Sequence, residues 1–290
     1  MDIMLLTKRA VGFALFVAIA SPACVVITPA SAGDASAWDD GLQSAVRLIA
    51  ARASGSGKTA VYRSGVEIRL NPGWKTYWRY PGDSGVPPAF DFSKSENVKS
   101  ATVLFPPPML FDDGAGGHSI GYKNGVLLPV HVVPNDPKRP AVLRAKIDYA
   151  VCEKLCVPAD ASLELTLPGT DGANDTAVGA AEALLPKMSS IGDSGALAIR
   201  SAHKEAGKGK PKIVVDVAAP AGAAPVLYAE GPDAKWALPL PEPVSGAPAG
   251  LQRFAFELDG LPPGESSAGA TLRLTAVVGD KAVEALFRLD

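Results

Sequence analysis

The sequence has few cysteines, few aromatic residues and no excess of charge of either sign. Only three of its 290 residues are cysteine and 7% are aromatic, whereas hydrophobic residues make up 47%. Hydrophobic cores must therefore consist mainly of Val, Leu, Ala and Ile. The formal net charge is −2 with both signs intermixed, without the basic stripe that nucleic-acid binding requires. The composition predicts a protein that buries sizeable cores and has no nucleic-acid partner.

Long apolar runs are missing after residue 32, where none reaches the ~18 residues of a membrane-spanning helix. The sequence therefore predicts no stable membrane insertion. The N-terminus carries the pattern of an export signal: Lys8 and Arg9, the apolar run Ala10–Ala20 and the A-x-A site Ala30–Ala32. We predict that residues 1–32 are a signal peptide and that the mature chain, with 26 basic and 29 acidic residues, is periplasmic.

Cys24 lies inside the predicted signal peptide. A lipid-modified N-terminus at Cys24 is not expected, because the preceding Ser21-Pro22-Ala23 is a poor lipobox. Export would leave Cys152 and Cys156 as the cysteines of the mature chain. An oxidising compartment allows such a pair to persist as a disulfide.

Helical periodicity is weak outside Ala177–Met188, and Gly and Pro together supply 55 of 290 residues. That composition favours many short strands joined by turns. The clearest amphipathic strand is at Val66–Leu70, where apolar residues alternate with Glu67 and Arg69. We predict an all-β fold, an immunoglobulin-like antiparallel sandwich followed by a second, smaller β-sandwich. The predicted divisions are a first domain over 33–170, a linker over 171–190 and a second domain over 191–290.

The sequence also predicts a glycine-rich loop at Phe111–Gly121 and an Ala/Pro/Gly loop at Pro239–Gly250. Alternating leucines predict a strand over Ser162–Leu167.

The segment Asp148–Asp160 holds Cys152 and Cys156, separated by three residues. This spacing does not match a paired-knuckle zinc site, which needs a second pair of ligands, but it suits a disulfide across a tight hairpin. A disulfide that only pins the hairpin would contribute about 2 kcal/mol. The other interpretation is a redox pair, in which one cysteine resolves the mixed disulfide of the other. Lys154 would favour a thiolate, and the acidic neighbours would oppose it.

Other chemistries have weaker patterns. His118, His131, Met109 and the two cysteines offer soft ligands for copper or zinc, but apart from the cysteines no pair has a fixed spacing. Serine hydrolysis lacks a G-x-S-x-G motif. Asp112-Asp113-Gly114 has the composition of an ordinary turn. An aromatic cluster consists of Trp74, Tyr77, Trp78 and Tyr80. Alternation along a strand should bury one set of these side chains and expose the other set, which could form a partner surface.

Six motifs between residues 60 and 168 resemble a known family when taken together and in order. They are Gly73–Arg79, Pro81–Pro88, Phe111–Asp113, Ser119–Lys123, Leu128–Val130 and Asp148–Ala159. The set resembles the N-terminal periplasmic domain of the DsbD thiol:disulfide interchange proteins, and is most similar to the ScsB-like branch linked to suppression of copper sensitivity. Residues 191–290 carry no motif of their own, and a companion β-domain is what that branch implies.

The resemblance implies an immunoglobulin-like sandwich whose pair Cys152 and Cys156 is catalytic. Such a pair takes electrons from a membrane-embedded DsbD- or CcdA-like reductase through a thioredoxin-like module. It passes them to periplasmic thiol proteins, including disulfide isomerases, cytochrome c maturation factors and peroxide-reducing proteins. We therefore expect a component of a protein-disulfide reductase pathway without cofactor or metal, in which Cys156 forms the mixed disulfide.

The segment Phe111–His118 aligns with the cap loop that covers the disulfide in this family, with Phe111 as the expected shield. The implied cap and partner-surface residues are Phe111, Asp112, Asp113, His118, Tyr122 and Tyr149. Two features depart from the family: the cysteines are closer together and the cap is mostly glycine. Full-length members also continue into a membrane domain and a thioredoxin domain, so we expect this chain to act in trans as an electron shuttle or split subunit. Two alternatives stay open, a binding or assembly protein with a structural disulfide and a copper-binding protein.

Overall fold

The computed structural model describes Met1 and residues 33–83, 85–112, 116–206 and 209–290. The predicted signal peptide after Met1, including Cys24, lies outside the described residues, as does Asp113. Among the described residues, no helix is long and apolar enough to cross a membrane.

The first half of the described chain folds into strands separated by turns, with a 3₁₀ turn at Gly57–Thr59. The strands are β1 Asp39–Asp40, β2 Ser44–Ala50, β3 Tyr62–Leu70, β4 Lys75–Gly82, β5 Ala89–Asp91, β6 Val98–Val103, β7 Met109–Asp112, β8 His118–Lys123, β9 Gly125–Pro134, β10 Ala141–Cys152 and β11 Cys156–Leu167. Alternation accounts for their faces: in β3, Val66, Ile68 and Leu70 are buried while Arg69 is exposed.

These strands form two antiparallel sheets that enclose one hydrophobic core. One sheet has the order β1-β2-β3-β9-β6, and the other has the order β11-β10-β4-β8-β7 with β5 paired to β10. The core takes Val46, Leu48 and Val130 from the first sheet and Trp78 and Leu143 from the second. The predicted immunoglobulin-like sandwich is confirmed.

The predicted glycine-rich loop Phe111–Gly121 is wrong in extent. Most of it forms the hairpin of β7 and β8, in which Phe111 pairs with Ser119 and Asp112 with His118. Only residues 113–117 lie between the two strands. Gly121 lies in strand β8. A side chain does not fit there, because a Cβ atom would lie 1.9 Å from the carbonyl oxygen of Thr76. The glycine at position 121 thus reflects close packing of the strands.

A single helix is present among the described residues, α1 Asp175–Ala183, and it falls inside the predicted linker 171–190. The Arg63 guanidinium binds the Glu182 carboxylate through contacts of 2.5 to 3.0 Å, and Nε2 of His131 lies 2.9 Å from the same carboxylate. These contacts attach α1 to strands β3 and β9. The proposed domain boundaries remain a prediction.

The remaining strands form a second pair of sheets around a separate core. They are β12 Lys187–Met188, β13 Ala198–Glu205, β14 Lys212–Ala218, β15 Val226–Glu230, β16 Glu242–Val244, β17 Leu251–Glu257, β18 Thr271–Val278 and β19 Lys281–Arg288. The sheet orders are β12-β19-β18-β15 and β13-β14-β17-β16. Ile199, Ile213, Phe254 and Leu272 are among the buried residues of this core. The second, smaller β-sandwich is therefore confirmed, and its strand β16 lies in the stretch Pro239–Gly250 that the sequence suggested was a loop.

Candidate redox site

A disulfide joins Cys152 and Cys156 at the closed end of the longest hairpin. Strands β10 and β11 pair over twelve residues each, and the two cysteines are the last pair before the turn, with Cα atoms 4.2 Å apart. The hairpin disulfide that the spacing suggested is present. Its returning strand starts at Cys156, six residues before the expected start at Ser162. The early residues were missed because Val157, Pro158 and Asp160 do not alternate as a half-buried strand does.

The two cysteines differ in accessibility. Cys152 is only 5% exposed, whereas Cys156 lies at the surface. Two apolar residues beside Cys156 are also solvent-exposed, Leu155 at 78% and Val157 at 36%. The turn therefore presents one sulfur and an apolar rim to solvent, while the other sulfur is covered.

Tyr77 lies against both sulfurs, and sequence reasoning did not identify it as a site residue. Its hydroxyl is 3.1 Å from Sγ of Cys152 and 3.0 Å from Sγ of Cys156. Tyr77, Ala150 and Cys152 form a small buried cluster on the outer face of the sheet. The available signal was alternation: Trp78 faces the main core, so its neighbour Tyr77 faces the other side.

Burial keeps the Tyr77 hydroxyl protonated. The side chain is 3% exposed, and this burial raises the pKa of Tyr77 above 10.0. The loop after β4 also closes on the ring, because a Cβ atom on Gly85 would lie 2.5 Å from a Tyr77 ring carbon. Tyr77 therefore stands beside the disulfide as a fixed, neutral hydrogen-bond donor.

Lys75 connects the disulfide hairpin with the β7–β8 hairpin. It is the direct partner of Cys152 between strands β4 and β10, so the two side chains share a face of the sheet. The Lys75 ammonium donates to the hydroxyl of Ser119 at 3.3 Å and lies 5.1 Å from the centre of the Phe111 ring. Lys154, the lysine that the sequence favoured, lies instead in the exposed turn.

The predicted cap residues are distributed over the β7–β8 hairpin. Phe111 is partly buried under Lys75, and Asp112 is exposed at the end of β7. The backbone N–H of His118 donates to the carboxylate of Asp83 at 3.0 Å, which links this hairpin to the loop after β4. Asp113 lies outside the described residues.

Tyr122 and Tyr149 are not at the surface, which corrects their assignment to a partner surface. Tyr122 is 6% exposed and its hydroxyl donates to the carbonyl of Pro106 at 2.8 Å. Tyr149 is 5% exposed and its hydroxyl lies 2.7 Å from that of Ser44. Both rings belong to the first core, so they support the sheet from the inner side.

The possible metal ligands are distributed over several strands. Met109 is in β7, His118 is in β8, and His131 is in β9 on the opposite sheet, where it contacts Glu182. In the part of the chain that the structure describes, no group of three or more His, Cys, Asp or Glu residues is arranged to hold a metal ion.

Comparison with known proteins agrees with the resemblance found in the sequence. Residues 48–168 match the family described as thiol:disulfide interchange protein DsbD, N-terminal. The fold is similar to the crystal structure of the N-terminal periplasmic domain of ScsB from Proteus mirabilis, with a TM-score of 0.68 and 21% sequence identity. That similarity covers 89% of this chain and 98% of the other. No curated protein sequence matches the chain.

The match to the DsbD N-terminal family includes both the disulfide and Tyr77. The similarity to the Proteus mirabilis structure extends beyond this domain, because 89% of the chain is covered. Both sandwiches therefore belong to the shared fold.

Proposed function

We propose that this protein is a periplasmic thiol–disulfide exchange protein in which Cys152 and Cys156 alternate between disulfide and dithiol. It accepts electrons from a membrane-embedded DsbD- or CcdA-like reductase or a thioredoxin-like partner and passes them to periplasmic thiol proteins. The observation that carries the proposal is the asymmetric disulfide, with Cys156 exposed and Cys152 buried against Tyr77. The family of residues 48–168 supports the same chemistry.

Electron uptake begins when a thiolate of the partner attacks Sγ of Cys156, the accessible sulfur. The bond between the cysteines breaks, and Cys152 leaves as a thiolate while Cys156 enters a mixed disulfide. The partner's second thiolate then attacks the partner's first sulfur in the mixed disulfide, and Cys156 leaves as a thiolate. Two electrons and two protons have moved, so this chain gains two thiols and the partner gains a disulfide.

Tyr77 is placed to assist the first step. A sulfur that leaves as a thiolate needs a donor, and hydrogen bonds to charged acceptors are stronger than those to neutral ones. The Tyr77 hydroxyl lies 3.1 Å from Sγ of Cys152 and is neutral. It can therefore donate to the leaving sulfur as negative charge develops there.

The partner surface consists of the exposed turn and the neighbouring hairpin. Leu155 and Val157 provide apolar contacts beside Cys156. Phe111, Asp112 and His118 on β7 and β8 form the rest of this surface. Lys75 links it to the disulfide, because Lys75 contacts the Phe111 ring and pairs with Cys152 across the sheet. A thioredoxin-like partner would fit this arrangement, because such proteins present an apolar surface around their reactive cysteine.

A pair of single-cysteine variants of the predicted mature chain, residues 33–290, tests the proposal. In Cys152→Ala, Cys156 is converted to a mixed disulfide with thionitrobenzoate and mixed with a reduced thioredoxin-like protein that retains only its attacking cysteine. We expect rapid release of thionitrobenzoate and a covalent complex. Cys156→Ala, which retains the buried Cys152, is the matched control and should react slowly. Equal and negligible reaction of both variants would contradict a role in exchange.

Two other functions make different predictions. A binding or assembly protein with a structural disulfide would have a reduction potential below about −300 mV, whereas an exchanging disulfide has a higher one. A copper-binding protein would bind copper with a dependence on Met109, His118 and both sulfurs. Measuring the reduction potential and the copper content of the purified chain separates the three functions.

A further inference from the structure

Strand β4 belongs to the redox site at one end and contacts the second sandwich at the other. Its residues Lys75 and Tyr77 face the disulfide. The next three residues, Trp78, Arg79 and Tyr80, all contact residues beyond position 225. Residues 191–290 take no direct part in the proposed thiol chemistry, but these contacts indicate that they influence it through β4.

The apolar part of this contact extends the first core into the second sandwich. Trp78 is fully buried, and its ring centre lies 5.4 Å from that of Tyr228 on β15. Tyr228, Val277 and Ala282 are buried together with the first core. The second sandwich therefore completes the burial of Trp78.

The polar part is a largely buried cluster of charges centred on Arg79. The guanidinium donates to both oxygens of Glu230 at 2.8 and 2.7 Å, and to Glu284 at 2.6 Å. Arg273 donates to the second oxygen of Glu284 at 2.7 Å. The side chains of Glu230 and Glu284 are 13% and 6% exposed, so their charges depend on these partners. The Tyr80 hydroxyl also donates to the carbonyl of Leu238.

Within its own sandwich, β4 has few regular partners. Its pairing with β10 consists of Thr76 with Val151 and Lys75 with Cys152. Its pairing with β8 is interrupted between Tyr77 and Gly82. The residues that follow Tyr77 are therefore not held by a continuous ladder.

We infer that the second sandwich holds strand β4 and thereby fixes the Tyr77 ring against the two sulfurs. Arg79 is the principal positioning residue, and it acts through β4 rather than by contact with the cysteines. Through β4, the second sandwich thus sets the reactivity of the disulfide.

Two buried carboxylates with the same chemistry allow a matched test in the full-length protein. Glu230→Gln weakens the contact to Arg79. Asp216→Asn weakens a similar pair with Arg253, at 2.7 and 2.9 Å, within the sheet that contains β14 and β17. Two quantities are measured for each variant: hydrogen exchange of the peptide spanning 75–82, and the rate at which dithiothreitol reduces the disulfide.

We expect Glu230→Gln to increase hydrogen exchange in β4 and to slow reduction about threefold or more, because a displaced Tyr77 no longer donates to the leaving sulfur of Cys152. Asp216→Asn should change neither quantity. If Glu230→Gln does not fold, Arg79→Lys keeps the charge but loses the two-pronged geometry and should act in the same direction.

Three results would overturn the inference. Equal slowing by Asp216→Asn would show that the effect does not depend on the contact with β4. Faster hydrogen exchange in β4 with an unchanged rate of reduction would show that β4 does not control the disulfide. No change in either quantity would show that the cluster does not hold β4. Dithiothreitol needs no protein partner, so failure of the proposed electron transfer would leave this test unaffected.

Discussion

The hydroxyl of Tyr77 lies 3.0 Å from Sγ of Cys156, and the same hydroxyl is 3.1 Å from Sγ of Cys152. One neutral donor thus serves whichever sulfur carries negative charge during exchange. Because burial raises the pKa of Tyr77, the hydroxyl keeps its proton over the pH range in which thiols titrate.

Tyr77→Phe should raise the pKa of the reactive thiol in the reduced protein. Loss of a hydrogen bond to a charged acceptor costs about 1.5 kcal/mol or more, which corresponds to about one pKa unit. The pH dependence of alkylation by iodoacetamide measures this change. Tyr149→Phe is the control, because its hydroxyl contacts Ser44 and no sulfur. An unchanged alkylation profile in Tyr77→Phe would exclude Tyr77 as the donor.

Lys75→Met should loosen the β7–β8 hairpin while leaving the disulfide formed. The substitution removes the hydrogen bond to Ser119 and the cation–π contact with Phe111, and such a contact contributes about 0.5–1 kcal/mol. Hydrogen exchange should increase in residues 109–112 and 118–123, and the urea midpoint should fall slightly. Lys154→Met, in the exposed turn, should have no effect. Equal protection of the hairpin in both variants would contradict a role for Lys75.

Gly121→Ala should destabilise the pairing of β4 and β8. A Cβ atom there would lie 1.9 Å from the carbonyl oxygen of Thr76, so the strands must separate, at a cost of about 1–3 kcal/mol. Urea unfolding measures the change. Gly209→Ala is the control, because a Cβ atom at that position has no neighbour within 4 Å. Similar stabilities for the two variants would contradict the close strand approach.

Glu182→Gln should weaken the dependence of stability on acid. Burial alone would raise the pKa of Glu182. The hydrogen bonds from Arg63 and His131 outweigh burial, so that the pKa of Glu182 is lowered below its usual 4.5. Ionised Glu182 therefore stabilises the fold above pH 4.5, and this contribution disappears as the pH falls through the folded-state pKa. Urea unfolding between about pH 6 and pH 3 measures the slope.

The control for this prediction is Glu164→Gln. Glu164 also binds an arginine, Arg144, at 2.5 Å, but both side chains are more exposed. If the free energy of unfolding of Glu182→Gln depended on pH as steeply as that of the unmodified protein, this carboxylate would not hold α1.

Much of the fold followed from local patterns. Alternation in Val66–Leu70 predicted β3, and turn-rich strands predicted the sandwich. Strand β7 was missed because it is four residues long and precedes the glycine-rich stretch 113–117, so that its pairing with β8 depends on contacts between the two strands. The start of β11 was missed because its first residues are exposed on both faces.

The site was predictable only in part. Spacing alone suggested a hairpin disulfide between Cys152 and Cys156. The approach of Tyr77 required knowing that β4 and β10 are neighbours, although 75 residues separate Tyr77 from Cys152. Tyr122 and Tyr149 were placed at the surface because a motif shows which residues recur but not which face they occupy.

The central claim is that the Cys152–Cys156 disulfide exchanges electrons with a partner protein. The most direct measurement is the number of free thiols in the folded chain of residues 33–290, which lacks Cys24. It is made after incubation with excess reduced thioredoxin-like protein, with the denatured and reduced chain as reference. We predict two thiols in each folded chain, together with oxidation of one partner dithiol. A disulfide that stays intact in the folded chain under these conditions, while the denatured reference yields both thiols, would contradict the account.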